Sequence, residues 1–291
     1  GAVGGPQADD TNCTTCHNAA SIDTVHYVGQ ISPAAQFPNI DVVSVTNTAP
    51  GQAPVVTFTA DIGGTAVTDL LAATANPFNR LRILWVGPNT AYAIYEQISI
   101  VNNGALTAEG TAGLAAGGTA GEYVFTFPAG SEIPAGAEGS GSIGFEGRID
   151  DGTGDGGRTA IEGKVFAFAI TDAAPVPRRE VVDQAKCNNC HRDLAMHGGG
   201  RKGVQYCLTC HNPENANEER IPQTESTTLV ESTNFRSMLH RIHAGAVLTK
   251  THVFGAYGQN PVNFAEIVHT PQQVSNCEGC HKSGTYELPI P

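Results

Sequence analysis

The sequence is short of positive charge, of methionine and of long apolar runs. Against 28 Asp and Glu stand 16 Lys and Arg, a formal net charge of −12. Nucleic acid and anionic membrane surfaces are therefore excluded as partners, because both repel such a chain. No apolar run approaches ~18 residues, so no membrane-spanning helix is expected. Two Met and one Trp are present. Between Tyr27 and Lys186 there is neither Cys nor His, which removes thiolate and imidazole chemistry from the middle of the chain. No export signal is visible in the sequence, and Gly1 is read as a mature N-terminus left after cleavage of one.

What is present is a single motif, four times. Cys-x-x-Cys-His occurs at Cys13/Cys16/His17, Cys187/Cys190/His191, Cys207/Cys210/His211 and Cys277/Cys280/His281. The pattern is that of covalent c-type haem attachment. Two thiols two residues apart add to the two vinyl groups of one porphyrin, and the next imidazole lies under the ring and ligates iron. Two four-thiolate zinc sites or redox dithiols are the competing readings. Neither requires His after every second Cys. With ten His in 291 residues, four such coincidences have a chance on the order of one in a million, which favours haem. All eight Cys are used, leaving none for a disulfide or a free nucleophile. Since Cys13 belongs to a haem motif, no N-terminal lipidated cysteine is expected. Haem attachment of this kind takes place after export, so the chain is expected outside the cell or at its surface, soluble and unanchored.

Three regions follow. Residues 1–35 carry one haem motif and His26 but lack the apolar residues for a core of their own. Residues 36–176 hold short β-rich runs between turn clusters: 40–46, 55–60, 81–86, 92–101, 122–127, 142–149 and 164–170. Alternation such as Tyr123-Val124-Phe125-Thr126-Phe127 predicts an all-β Greek-key sandwich or barrel, with Trp85 in its core. The Gly- and Ala-rich tracts 108–121 and 134–141 read as loops. Asp150-Asp151-Gly-Thr-Gly-Asp155-Gly-Gly is acidic and turn-rich but lacks the spacing and terminal Glu of an EF-hand. It is read as a solvated hairpin, with calcium the lesser alternative. Residues 173–177 (AAPVP) predict a stiff, extended linker. Residues 177–291 carry three haem motifs and are expected as short helices and many loops, because porphyrins replace side chains as core. The fold class is thus mixed.

Four irons need four second axial ligands. Outside the motifs stand His26, His197, His240, His243, His252 and His269, with Met196 and Met238 the only sulfur candidates. Bis-histidine ligation, and hence low potentials, is the natural outcome. Residues 234–244 predict a helix with Thr233 or Asn234 at its N-cap and Gly245 past its end. Phe235, Met238, Leu239 and Ile242 form its apolar stripe. His240 and His243 lie on the adjoining face and, three apart, cannot take opposite sides of one iron. If both are ligands, they serve two different haems, which are then close neighbours. His197 is poorly placed to reach its own motif's iron and more plausibly ligates another. His26, the spare imidazole of the first region, is a candidate ligand of the first haem, of a haem of the other module or of one in a neighbouring molecule. For His252 and His269, ligation and a surface or propionate contact stay open.

The segments Arg178–His191, Leu194–Gly199, Gln205–Pro213, Ser237–Gly245 and Asn276–His281 resemble the outer-surface multihaem cytochromes of the OmcA/MtrC type. Members of that family alternate Greek-key β domains with five-haem domains and pass respiratory electrons to minerals, flavins or partners. The resemblance implies that His197, His240 and His243 are distal ligands. It also implies other multihaem cytochromes, and extracellular metal oxides or soluble acceptors, as partners. This chain departs from the pattern in having one β-plus-haem module, four haem motifs, and one of those ahead of the β region. Haem motifs near both chain ends suggest head-to-tail assembly of copies into a filament with a continuous haem chain. The function expected is extracellular electron transfer rather than enzyme catalysis. The alternative is a multihaem reductase of a small oxyanion or metal, which needs an open haem site. A low-spin spectrum separates the first from the second, and a haemochrome assay separates both from a zinc-bound structural protein.

Overall fold

The computed structural model describes residues 37–150, 157–191, 194–213, 232–254, 262–267 and 275–287. Cys13, Cys16, His17, His26 and His269, and residues 151–156 of the acidic turn, lie outside the described residues.

Strand β1 (Pro38–Thr46), β2 (Val55–Ile62) and the short β3 (Thr65–Ala66) come first, then β4 (Arg80–Gly87), β5 (Ile94–Asn102) and β6 (Ala105–Leu106). Helix α1 (Ala108–Gly113) leads into β7 (Leu114–Ala116), β8 (Glu122–Thr126), β9 (Ser140–Asp150), β10 (Arg158–Ala160) and β11 (Val165–Ala169). These make two antiparallel sheets. One runs β1-β2-β8-β7 with β3 beside β2; the other runs β10-β9-β4-β5-β6 with β11 beside β9. Pairing of β2 with β8 and of β4 with β9 joins strands far apart in sequence, so the fold is the expected Greek-key sandwich. The acidic turn is flanked by β9 and β10, paired Asp150 to Arg158.

The core follows from the two-residue period of a strand. Val56 and Phe58 of β2, Tyr123 and Phe125 of β8, Leu81, Ile83 and Trp85 of β4, and Ile143 and Phe145 of β9 form one buried cluster between the sheets. Trp85 is fully buried, as expected, and its Nε1 donates to Ser131 O at 3.0 Å. The tract read as loop from residue 108 instead opens on α1, capped by Thr107, whose hydroxyl accepts from Gly110 N. A Cβ on Gly110 would come within 2.2 Å of Ile100 O, so glycine is what lets this turn lie against β5.

Period two also puts Arg80, Arg82, Leu84 and Val86 of β4 on the opposite face, with Gly144, Glu146 and Arg148 of β9. That face is covered too. Leu84, Val86 and Tyr92 pack with Tyr206, more than one hundred residues downstream. The linker is held against the same sheet: Asn89 Nδ2 donates to Val176 O at 2.6 Å, and the Arg178 guanidinium lies 4.8 Å over the Tyr92 ring.

Beyond the linker come α2 (Gln184–His191), β12 (Ala195–Met196), β13 (Arg201–Lys202), α3 (Val204–Cys210), α4 (Phe235–Ala244), β14 (Val253–Phe254) and β15 (Val262–Asn263). Helix α4 lies where the sequence predicts it, with Asn234 Oδ1 accepting from Arg236 N and Gly245 at φ 52°. Its apolar stripe reaches no protein core, since none of its residues is buried. After residue 177 only Val204 and Tyr206 are buried apolar side chains among the described residues. Among those residues, too, no helix is long and apolar enough to cross a membrane.

Candidate haem-binding site

Each described motif is wound as one turn of helix. Cys187, Cys190 and His191 end α2, whose first turn is opened by Asp183 Oδ1 accepting from Ala185 N at 2.9 Å. Cys207 and Cys210 lie in α3, and His211 N donates to Cys207 O at 2.9 Å. Cys277 begins a single 3-10 turn, and His281 N donates to Cys277 O, again at 2.9 Å. Helical winding puts residues three apart on one face, so both thiols of a motif would be available to one haem, with the next histidine as its ligand. Among the described residues no three of His, Cys, Asp or Glu gather as a metal cage.

The histidines meet in twos. His191 faces His243 with ring centroids 6.0 Å apart, His211 faces His197 at 5.9 Å, and His281 faces His240 at 6.0 Å. With metal–imidazole bonds of about 2.0–2.1 Å and each nitrogen about 1 Å from its ring centre, two imidazoles across one metal have centroids about 6 Å apart. Ring planes are near parallel in two pairs, 29° for His197–His211 and 25° for His240–His281, and perpendicular at 88° for His191–His243. Every pair joins one motif histidine to one outside the motifs. His240 and His243 go to different motifs, in line with their three-residue spacing on α4.

Proton placement agrees. Nδ1 of His211, His240 and His243 sits 2.9, 2.7 and 2.8 Å from the carbonyls of Thr233, Arg236 and Leu239. A carbonyl only accepts, so Nδ1 carries the proton and Nε2 keeps its lone pair for a metal. Burial, then Arg201 and His211 nearby, hold His197 down to a pKa of about 4. Burial likewise lowers His191, His211 and His281. All four are thus neutral imidazoles at physiological pH, the form a metal binds. Burial, then Cys210, pushes the Cys207 thiol up to about 11.

Backbone bonds bring the motifs together. Asp183 N donates to Cys280 O and Lys282 N to Val181 O, and Lys186 Nζ reaches Glu278 O and His281 O. The last motif is thereby stitched to the segment that opens α2. The middle motif sits against the sandwich: Tyr206 donates to Glu146 Oε2 at 3.2 Å, and Glu146, fully buried, also pairs with Arg80, Arg82 and Arg201. Burial, then Glu146 beside it, hold the Tyr206 phenol far above its ordinary pKa, so it remains a donor.

The sequence reading missed Glu146, Arg80, Arg148 and Tyr206. Its one available signal was charge recurring on alternate residues of β4 and β9, which marks an outward face but not what covers it. His252 is buried beside β14, with its backbone N bonded to Asn263 Oδ1; none of the three facing pairs includes it.

Residues 179–290 match the family model for outer membrane cytochrome MtrC/MtrF-like proteins, domains II/IV. Over 45 residues the chain is 51% identical to multiheme cytochrome MtrC of Shewanella baltica (strain OS185), covering 15% of this chain and 7% of that one. The crystal structure of MtrC from Shewanella baltica OS185 superposes with a TM-score of 0.50 and 20% identity, covering 82% of this chain and 43% of that. The outer membrane decaheme cytochrome OmcA superposes at 0.52 with 16% identity, over 84% of this chain and 40% of that. The chain therefore spans less than half the length of these relatives, and the two superpositions speak for the fold alone. Through residues 179–290, the chain is similar to the MtrC/MtrF-like outer membrane cytochromes.

Proposed function

We propose that the chain is an extracellular electron conduit: a tetrahaem c-type cytochrome whose haems are held by the four Cys-x-x-Cys-His motifs and capped on both sides by histidine. The observation that carries this reading is the set of three imidazole pairs, each about 6 Å between centroids. Haem, when bound, supplies a one-electron iron couple that exchanges with its neighbours, and the chain supplies spacing, ligation and exclusion of water. In this reading His191 pairs with His243, His211 with His197, and His281 with His240. His17 holds the fourth iron, with His26, His252 and His269 as its candidate partners. Three regions, 1–35, 36–176 and 177–291, divide the work between haem binding and scaffold.

Filled axial positions argue against a reductase working at an open iron. Helix α4 holds two sites side by side, because His240 and His243 are one turn apart on it. Cys277, Cys280 and His240 are exposed, so the last site offers an edge to a partner: another multihaem cytochrome, an extracellular metal oxide, a soluble acceptor, or a further copy of this chain in a head-to-tail filament. The test is spectroscopic. A haemochrome assay is expected to return four haems per chain, and electron paramagnetic resonance only low-spin ferric iron. The perpendicular His191–His243 pair is expected to give a broader g spread than the near-parallel pairs. A high-spin majority, or fewer haems than motifs, overturns the reading. Micrographs of native secreted material showing monomers only would overturn the filament.

A further inference from the structure

We propose that Arg148 and Arg80 of the sandwich are positioning residues for His197, so that the β sheets set the ligation of the haem held by Cys207, Cys210 and His211. This rests on the His197–His211 pairing proposed above.

The segment carrying His197 does not hold itself. It is the four-residue loop of a hairpin whose strands, β12 and β13, pair only Ala195 with Lys202 and Met196 with Arg201. One backbone bond, Gly200 N to Met196 O at 3.2 Å, spans it. Three successive residues take the left-handed region: His197 at φ 55°, Gly198 at 72° and Gly199 at 70°. Glycine adopts that region freely, but a histidine does so against the clash of its own Cβ. Something outside the loop must hold it there.

The sandwich does. Arg148, near the end of β9, donates from Nη1 to Gly198 O at 2.9 Å and from Nε to Asn79 Oδ1 at 3.2 Å. Asn79 N in turn bonds Arg148 O at 2.9 Å, so this arginine is gripped before it grips the loop. Arg80 lies against the other end, where a Cβ on Gly200 would come within 2.5 Å of its Nη2. Arg201, which closes the hairpin, is ion-paired to Glu146 of β9. The loop is thus fastened at Gly198 and Arg201 and abutted by Arg80 at Gly200, with His197 the residue just ahead of them. The side chain that faces His211 is aimed by β4 and β9, from more than forty residues away in sequence.

The experiment uses the haem-loaded full chain and reads carbon monoxide uptake by the reduced protein, with high-spin absorption in the ferric state. His197→Ala is expected to open one iron and take up one equivalent. Arg148→Gln is expected to reproduce the same spectral change at the same haem, with Arg148→Lys restoring most of the low-spin state. Arg178→Gln also removes an arginine contact on this sheet, but from the linker, and is expected to stay low-spin and take up none. If Arg148→Gln does not fold, Asn79→Ala loosens the same guanidinium and is read identically. An Arg148→Gln protein as inert to carbon monoxide as the unsubstituted one, while His197→Ala binds it, overturns the proposal and leaves the pairing intact. A silent His197→Ala overturns the pairing, and the proposal with it.

Discussion

The two halves of this molecule are built on different solvents. Between residues 38 and 169 the chain buries its own core, with Phe58, Trp85, Phe125 and Ile143 fully covered between two sheets. From residue 178 onward the described chain buries two apolar side chains, Val204 and Tyr206, and Tyr206 leans on the sandwich. Yet this second region carries a capped, amphipathic α4 and three paired sets of imidazoles. A helix with an apolar stripe is stable in a folded protein only when that stripe has something to cover. The contrast teaches that one half is a folded scaffold in its own right, whereas the other is a set of brackets. At ~25 cal/mol per Å², the faces of a porphyrin offer those brackets what several leucines would.

The sharpest way to break the comparison is to prevent haem attachment. With Cys187 and Cys190 both replaced by Ala, residues 178–287 are expected to lose protection in hydrogen exchange, while β2, β4, β8 and β9 keep theirs. Equal loss in both halves would show that the sandwich depends on the haem region as well. The converse test is Phe58→Ala, which removes a ring from the centre of the sandwich. It is expected to cost about 3–5 kcal/mol in denaturant unfolding, with the haem spectrum of the native protein unchanged. Glu146→Gln cuts across the boundary, because its buried carboxylate faces Arg80, Arg82 and Arg201 at once. Loss of one member of such a buried charge set is expected to cost about 3 kcal/mol, read as a lower midpoint for both halves together. Smallest is Lys164→Ala. Its 2.5 Å pair with Asp41 is about half exposed on both sides, so the change is expected within about 1 kcal/mol, seen only in sandwich unfolding.

How much of this was legible beforehand depends on how local the cause is. All seven β-rich runs read between turn clusters coincide with strands, with ends shifted by a residue or two, because β-rich composition and side-chain period are properties of neighbours. Helix α4 came out with its caps for the same reason. Short helices were expected in this region, but α2 and α3 were not placed on the haem motifs. Each is a single haem motif and its approach, with too few residues to show a period. The outer face of β4 and β9 carries the charges Arg80, Arg82, Glu146 and Arg148, which do not say what covers it; its cover, Tyr206 and the His197 loop, comes from far along the chain.

By itself the sequence determined where cofactor can be bonded. Thioether attachment needs only two thiols and an imidazole within five residues, and that is written in order along the chain. It also determined that His240 and His243 must part company, since a helix turn is too short to wrap one metal. Only the tertiary structure decided which imidazole stands opposite which, and that two arginines of a distant sheet hold one of them in place. Those choices are contacts between segments that are not neighbours along the chain, set by how strands and brackets pack, and local chemistry carries no record of them.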